Sequence, residues 1–178
     1  MGKSSFLDDL LRYIMTRVAT WPHTVLVAAI IAIAGGSPVT SVFVIIVVVE
    51  LRLWDDLSDR IPDRNAQPPR VLVHTKHGSL FEGLAVTLGA FAFATASAGG
   101  VTALLLLGGC HALLASAYDQ KLKGLVQLKY PLLLAAAMQL GGKLSLARAL
   151  AWCAALYAAV VLYDQLTTPT RRPDARIE

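Results

Sequence analysis

The feature that most constrains this chain is its succession of long apolar segments separated by short breaks. The segments lie at about residues 18–35, 38–54, 80–98, 101–118, 128–142 and 145–166. The hydrocarbon core of a bilayer is about 30 Å thick and is crossed by about 20 apolar residues in a helix. Because 56% of the residues are hydrophobic and only 16% are charged, the composition favours a membrane protein over a soluble domain. The sequence therefore predicts an all-α integral membrane protein with about six transmembrane helices.

The breaks between the segments predict antiparallel helical hairpins. Most of them are short and contain Gly or Pro, such as GGSP at 35–38 and AGG at 98–100, and such residues favour turns. If the N-terminus is cytoplasmic, 14 of the 16 Lys and Arg residues face the cytoplasm, and only Lys143 and Arg148 face the other side. Since positive residues collect on the cytoplasmic side of membranes, we expect both termini there.

This arrangement divides the chain into three parts. Residues 1–17 are expected to form a cytoplasmic N-terminal segment, 18–166 the six-span domain, and 167–178 a polar tail. The one long break is a charged cytoplasmic loop at 55–79, and long loops in compact domains usually carry function. A net charge of +4 is too small to indicate nucleic acid as a partner. Membrane lipids are the partners that this composition predicts.

The charged loop begins with regularly spaced aspartates. Asp55, Asp59 and Asp63 follow one another at four-residue intervals directly after the second apolar segment. Four residues advance a helix by about 6 Å and about 400°, so Asp55 and Asp59 would lie on one helix face. Stacked carboxylates repel each other unless a cation neutralises them, and Mg²⁺ prefers such oxygen ligands together with substrate phosphates. This spacing is compatible with a Mg²⁺ site that takes a lipid diphosphate.

The same stretch also fits a solvated helix end. Asp56 lies four residues after Arg52 and four residues before Arg60, which is the spacing of ion pairs on a helix surface. Residues 52–70 contain four Asp and four Arg and are locally neutral. Spacing alone therefore leaves both interpretations open.

The stretch RLWDDLSDRIPDRNAQPPR resembles the first aspartate-rich motif of the UbiA-type membrane prenyltransferases. It is most similar to the subgroup that writes R-L-W-D-E-x-x-D-x-x-x-D followed by P-x-R, with Arg52, Asp55, Asp59, Asp63 and Arg70 in register. The resemblance implies a helical bundle in which the three aspartates are catalytic and bind Mg²⁺ and a prenyl diphosphate. It also implies transfer of the prenyl group to an acceptor, which the sequence does not identify. Arg52 and Arg70 would contact the diphosphate.

A weaker similarity lies in AYDQKLKG, between the fourth and fifth segments. Tyr118, Lys121 and Lys123 match the family's tyrosine followed by a basic pair, which implies further contacts to the diphosphate. Lysines that only anchor a cytoplasmic loop explain this stretch equally well.

The chain also departs from the family pattern. Family members carry a second aspartate motif after the sixth span, where this chain has Asp164 and then no acid before Asp174. Pro62 directly precedes Asp63 and disfavours a continuous helix there. A shortened enzyme, a site completed by a homo-oligomer or a partner chain, and a non-catalytic or split-half subunit therefore all remain open.

Two further acids support a rival class, a small transporter. Glu50 follows VIIVVV near the expected membrane boundary, and Glu82 begins the third segment. Ionisable residues inside a membrane are costly and usually functional.

Cys110 and Cys153 lie in apolar stretches and are expected to be small buried hydrophobic residues.

Overall fold

A computed structural model of the chain describes residues 5–60, 71–116 and 123–167. Within these ranges every regular element is helical. The helices are α1 (Phe6–Tyr13), which continues into a π-helical turn (Ile14–Val18), α2 (Trp21–Ala34), α3 (Pro38–Ser58), α4 (Val71–His74), α5 (Gly78–Ala96), a 3₁₀ turn (Ser97–Gly99), α6 (Gly100–Ser116), α7 (Lys123–Val126), α8 (Lys129–Leu140) and α9 (Leu146–Thr167). The prediction of an all-α chain is confirmed for these residues, and the six apolar segments correspond to α2, α3, α5, α6, α8 and α9.

Helix α3 is the centre of the bundle. Its run VFVIIVVV is rich in β-branched residues, which ordinarily favour strands. In apolar surroundings a helix satisfies every backbone group within one segment, and this requirement overrides the weak local preference. Ser37 caps the helix by accepting a hydrogen bond from the backbone N–H of Thr40 at 3.1 Å, and Pro38 occupies the first turn. Side chains on several faces of α3, including Phe43, Val44 and Val47, are fully buried.

Helices α5 and α6 form a hairpin. The rings of Phe93 in α5 and His111 in α6 lie 5.1 Å apart. Eighteen residues of straight helix would separate these positions by about 27 Å, so the chain reverses between them. Gly100, with φ +77°, supplies the left-handed backbone conformation at this reversal.

The short turns of the bundle meet at one end. A methyl group placed on Gly35 would lie 3.2 Å from Cε of Lys143, and one placed on Gly141 would lie 2.5 Å from the carbonyl oxygen of Ala34. The Gln139 side chain donates a hydrogen bond to the carbonyl oxygen of Gly99 at 3.3 Å. The carboxyl end of α3, with its aspartates, lies at the opposite end, where α1 packs.

Some of these helices are suited to a membrane by length and composition. The stretch Gly78–Ala115 and the helix Leu146–Thr167 are long and apolar enough to cross one. The pair Phe6–Val18 and Trp21–Ala34, bent by 74°, is a third candidate if both helices belong to one span. The hairpin divides the first of these stretches into α5 and α6.

Candidate functional site

A buried carboxylate organises the carboxyl end of α3. Only 4% of the Asp56 side chain is exposed, and it accepts hydrogen bonds from Tyr13 Oη at 3.1 Å and from Arg17 Nε at 3.0 Å. Arg52 Nη2 lies 3.2 Å from Asp56 Oδ1, which is the i, i+4 pair that the spacing predicts. The pair is buried, however, and is joined by two side chains from outside α3. Asp56 therefore ties α1 and its π-helical turn to α3.

The ionisation of this cluster follows from its contacts. Burial, followed by the charge of Asp56, raises the pKa of the Tyr13 phenol, so that Tyr13 remains a neutral donor. The hydrogen bond to Asp56 is the largest cause of a raised pKa at Arg17. Both groups therefore donate hydrogen bonds to the Asp56 carboxylate.

Asp55 is paired with an internal ammonium group. Its carboxylate accepts a hydrogen bond from Nζ of Lys129, whose side chain is only 3% exposed. The same Nζ lies 5.4 Å from the centroid of the Tyr130 ring. Lys129 is 74 positions away in the sequence, and its charge was accounted for by the positive-inside pattern. No spacing rule therefore identifies it as the partner of Asp55.

The remaining predicted residues lie in different places. Asp59 is exposed directly after the last residue of α3, and its backbone N–H donates to the carbonyl oxygen of Asp55 at 3.1 Å. Lys123 begins α7, but its side chain is not among the described parts of the chain. The predicted residues that lie outside the described ranges are Asp63, Arg70, Tyr118 and Lys121. Within those ranges, no three His, Cys, Asp or Glu side chains form a group that could hold a metal.

A cleft of about 490 Å³ lies next to this polar end of the bundle. It is lined by α2, α8, α9 and one residue of α3, Arg52. The Nε atom of Arg52 is shielded from solvent and has no hydrogen-bond partner. The polar lining comes from the aspartate-bearing end of the helices, and it includes His23, Gln127, Tyr130 and Asp164.

The rest of the lining is apolar and reaches deeper into the bundle. It extends from Trp21 to Ala29 in α2 and from Tyr163 back to Leu156 in α9. Eight residues of helix correspond to about 12 Å, so the cleft runs about two turns inward from its polar lining. A ligand with a charged head and an apolar tail matches this division.

Asp164 lies in this cleft together with Arg52. The sequence has Asp164 where the family resemblance implies a second aspartate motif, and the fold places this residue of α9 on the same cleft as Arg52 of α3. This juxtaposition joins residues 112 positions apart, which no local pattern indicates.

Glu50 and Glu82 belong to separate pairs. Glu50 is fully buried, and its two carboxyl oxygens lie 2.9 and 3.1 Å from Nε2 of His111. Glu82 is exposed and lies 3.3 Å from Nη1 of Arg60. Only Glu50 therefore has the environment of an intramembrane acid. Glu50 and Arg52 are two residues apart on α3, which is about 200° around the helix. The Glu50 side chain and the cleft therefore lie on different faces of α3.

The two cysteines behave as packing residues. The Cys110 thiol donates to the carbonyl oxygen of Lys129 at 3.3 Å, and the Cys153 thiol donates to that of Pro131 at 3.2 Å. Cys110 is buried and Cys153 is partly buried, and both are free thiols.

No protein-family model, curated protein or solved structure matches this chain. The similarity to the UbiA-type enzymes rests on the motif residues alone.

Proposed function

We propose that the protein is a six-span membrane protein of the prenyltransferase type, with both termini and the aspartate-bearing end in the cytoplasm. It binds a prenyl diphosphate in the cleft and transfers the prenyl group to an acceptor. The observation that carries the proposal is the cleft itself, where Arg52 and Asp164 stand at the polar lining of an otherwise apolar volume of about 490 Å³.

The polar lining is suited to a diphosphate head. Arg52 has an Nε–H without a partner, and guanidinium groups bind phosphate oxygens through paired hydrogen bonds. Arg17 and Lys129 lie close by, on Asp56 and Asp55 respectively. The acids around them are Asp55, Asp56, Asp59 next to Arg17, and Asp164 in the lining of the cleft, so these three cations do not give this end a net positive charge. Hydrogen bonds from Arg52, together with a cation held by the aspartates, would therefore bind an anionic head, and the apolar walls would receive the isoprenoid chain.

The aspartates supply hard oxygen donors that fit Mg²⁺. The ion usually takes one or two protein carboxylates and completes its coordination with phosphate oxygens and water. Asp55 and Asp59, together with Asp63 from outside the described ranges, would hold it, and it would neutralise charge on the departing diphosphate. Lys129 already neutralises Asp55, so binding requires this side chain to leave the carboxylate and become available to the diphosphate.

Binding of a non-hydrolysable prenyl diphosphate analogue tests the proposal. Detergent-purified wild type would be compared with Arg52→Gln and Asp59→Asn, with and without Mg²⁺. Arg60→Gln is the matched control, because Arg60 pairs with the exposed Glu82 and does not line the cleft. Binding that weakens at least tenfold in Arg52→Gln and loses its Mg²⁺ dependence in Asp59→Asn is expected. Equal binding by all four proteins would refute the site.

A second candidate is a non-catalytic or split-half subunit. It is favoured because Asp164, where the resemblance implies a second aspartate motif, is followed by no acid before Asp174. Release of inorganic diphosphate from a reactive prenyl diphosphate distinguishes the two functions. A chain that binds the analogue but releases no diphosphate, at any oligomeric state, is a subunit. Release by the chain alone identifies an enzyme.

A further inference from the structure

Helix α1 packs one of its faces into the bundle. Phe6, Leu10 and Tyr13 contact a small buried cluster that contains Phe81 of α5, and Tyr13 is almost fully buried. The rings of Phe6 and Phe81 meet edge to face, 5.2 Å apart. This face fixes the position of α1 against α3 and α5.

A second face of α1 is apolar but uncovered. Leu7, Leu11 and Met15 recur at four-residue intervals, and 66%, 62% and 69% of their surfaces are exposed. An isolated exposed leucine is ordinary, whereas a stripe of three large apolar side chains indicates a contact surface.

The polar residues of α1 form a third stripe. Asp8, Arg12 and Thr16 are exposed, and each follows a residue of the apolar stripe by one position, or about 100° around the helix. Along one side of α1 the exposed surface is therefore apolar, and on the adjacent side it is polar. This division is typical of a helix that lies at a boundary between water and lipid.

The orientation of α1 agrees with such a boundary. The helical segment Phe6–Val18 is inclined by 74° to α2, which is 16° from a plane perpendicular to α2. If α2, which is about 21 Å long, runs along the membrane normal, α1 lies close to the membrane plane. Exposed apolar surface then continues from the stripe into α2, where Trp21 is 78% exposed and Val25 is 43% exposed. Tryptophan is enriched at membrane–water interfaces.

We propose that α1 is an interfacial helix, whose Leu7, Leu11 and Met15 side chains insert into the interfacial layer of the lipid bilayer. Its other face holds Tyr13 and Arg17 on Asp56. Docking of α1 on the bilayer therefore positions two of the donors that surround the carboxylate at the end of α3. The inference does not depend on which ligand the neighbouring cleft binds.

Spin-label accessibility in nanodiscs tests the docking. Single labels would be attached to Met15→Cys and to Thr16→Cys in a background with Cys110→Ala and Cys153→Ala, in bilayers of phosphatidylcholine and phosphatidylglycerol. These adjacent positions belong to the apolar and the polar stripe. Dissolved oxygen should be the main agent that speeds the spin relaxation of the label at position 15. A water-soluble nickel chelate should be the main one for the label at position 16. Leu11→Cys provides a second position in the apolar stripe.

Two results would overturn the proposal. Equal accessibility of both labels to the nickel chelate would place the stripe in water. Dipolar broadening between labels at position 15 on different molecules would show that a second copy of the chain covers the stripe instead.

Hydrogen–deuterium exchange tests whether contact with the bilayer holds α1, and with it Tyr13, in place. The apolar-stripe variant carries Leu7→Asn, Leu11→Asn and Met15→Asn. Its α1 backbone amides should exchange with solvent several-fold faster than those of wild type in the same nanodiscs. The matched control is Arg12→Gln, Thr16→Ser, which changes only the polar stripe and leaves the Ser5–Asp8 cap intact. Unchanged amide protection in the apolar-stripe variant would show that contact with the membrane does not hold α1 in position.

Discussion

The Glu50–His111 pair predicts an asymmetric response to mutation. His111 Nδ1 lies 2.9 Å from the carbonyl oxygen of Leu107, so Nδ1 must donate and carries a proton. The carboxyl oxygens of Glu50 contact Nε2. Nε2 of His111 and the carboxyl group of Glu50 are therefore each other's hydrogen-bond partners.

The expected magnitudes follow from burial. The Glu50 side chain is 1% exposed and that of His111 is 25% exposed. His111→Leu leaves a buried acid without a partner, and breaking a buried ion pair in this way costs about 3–5 kcal/mol. Glu50→Leu leaves a partly exposed imidazole with an unsatisfied group, at a cost of about 1–3 kcal/mol. The double variant removes both polar groups and should be more stable than His111→Leu alone.

Unfolding in detergent by titration with sodium dodecyl sulphate, followed by circular dichroism, measures these differences. His23→Leu is the control, because Nδ1 of His23 contacts a single hydroxyl, that of Thr20, at 2.6 Å. Its loss should cost about 1 kcal/mol. If the double variant lost as much stability as the sum of the two single variants, the two groups would not be coupled and the reasoning would fail.

Four further predictions concern other contacts. Gly141→Ala should destabilise the bundle by about 1–3 kcal/mol in the same titration, since its methyl group would meet the Ala34 carbonyl oxygen at 2.5 Å. Gly83→Ala in α5 has open space around the new methyl group and should be neutral or stabilising by up to about 1 kcal/mol. Arg17→Gln should cost about 2–4 kcal/mol because it removes a donor from the buried Asp56, and a loss no larger than that of the surface variant Arg60→Gln would contradict this. Finally, hydrogen bonds from Ser5 lower the pKa of Asp8, so this cap stabilises α1 above the unfolded pKa of about 4 and is lost as the pH falls through the lowered value. The protection factors of the amides near the start of α1, relative to intrinsic exchange at each pH, should therefore fall in acid in wild type but not in Asp8→Asn.

The helices of this bundle follow from its sequence because their signals are local. Apolar length, a Ser-Pro start at Ser37 and a left-handed glycine at Gly35 are each read from a few neighbouring residues. The i, i+4 pair of Arg52 and Asp56 is likewise a local spacing. The sequence predicted the helices, the turn at 35–38 and the spacing of Arg52 and Asp56, but it indicated a pair on a solvated surface, whereas Asp56 is buried.

The partners of the polar residues could not be predicted in the same way. Whether Asp55 meets a metal or Lys129 depends on how α3 and α8 rotate about their axes, and apolar packing along the whole bundle sets that rotation. The same holds for Asp56, whose partners Tyr13 and Arg17 come from a segment that the sequence indicates only as a cytoplasmic extension. Glu50 was predicted to be an acid near the membrane boundary, but its contact with His111 joins residues 61 positions apart.

The close contact at Gly141 has a mechanical consequence for the distant cleft. It fixes α2 against the turn that follows α8, whereas the cleft opens near the other end of α2. Helix α2 has 14 residues and is about 21 Å long. A change of tilt where α2 meets the glycine turns therefore displaces its other end. A tilt of about 3° there moves the end at Trp21 by about 1 Å. The size of the side chain at position 141 therefore affects the width of the cleft, although this position does not line the cleft.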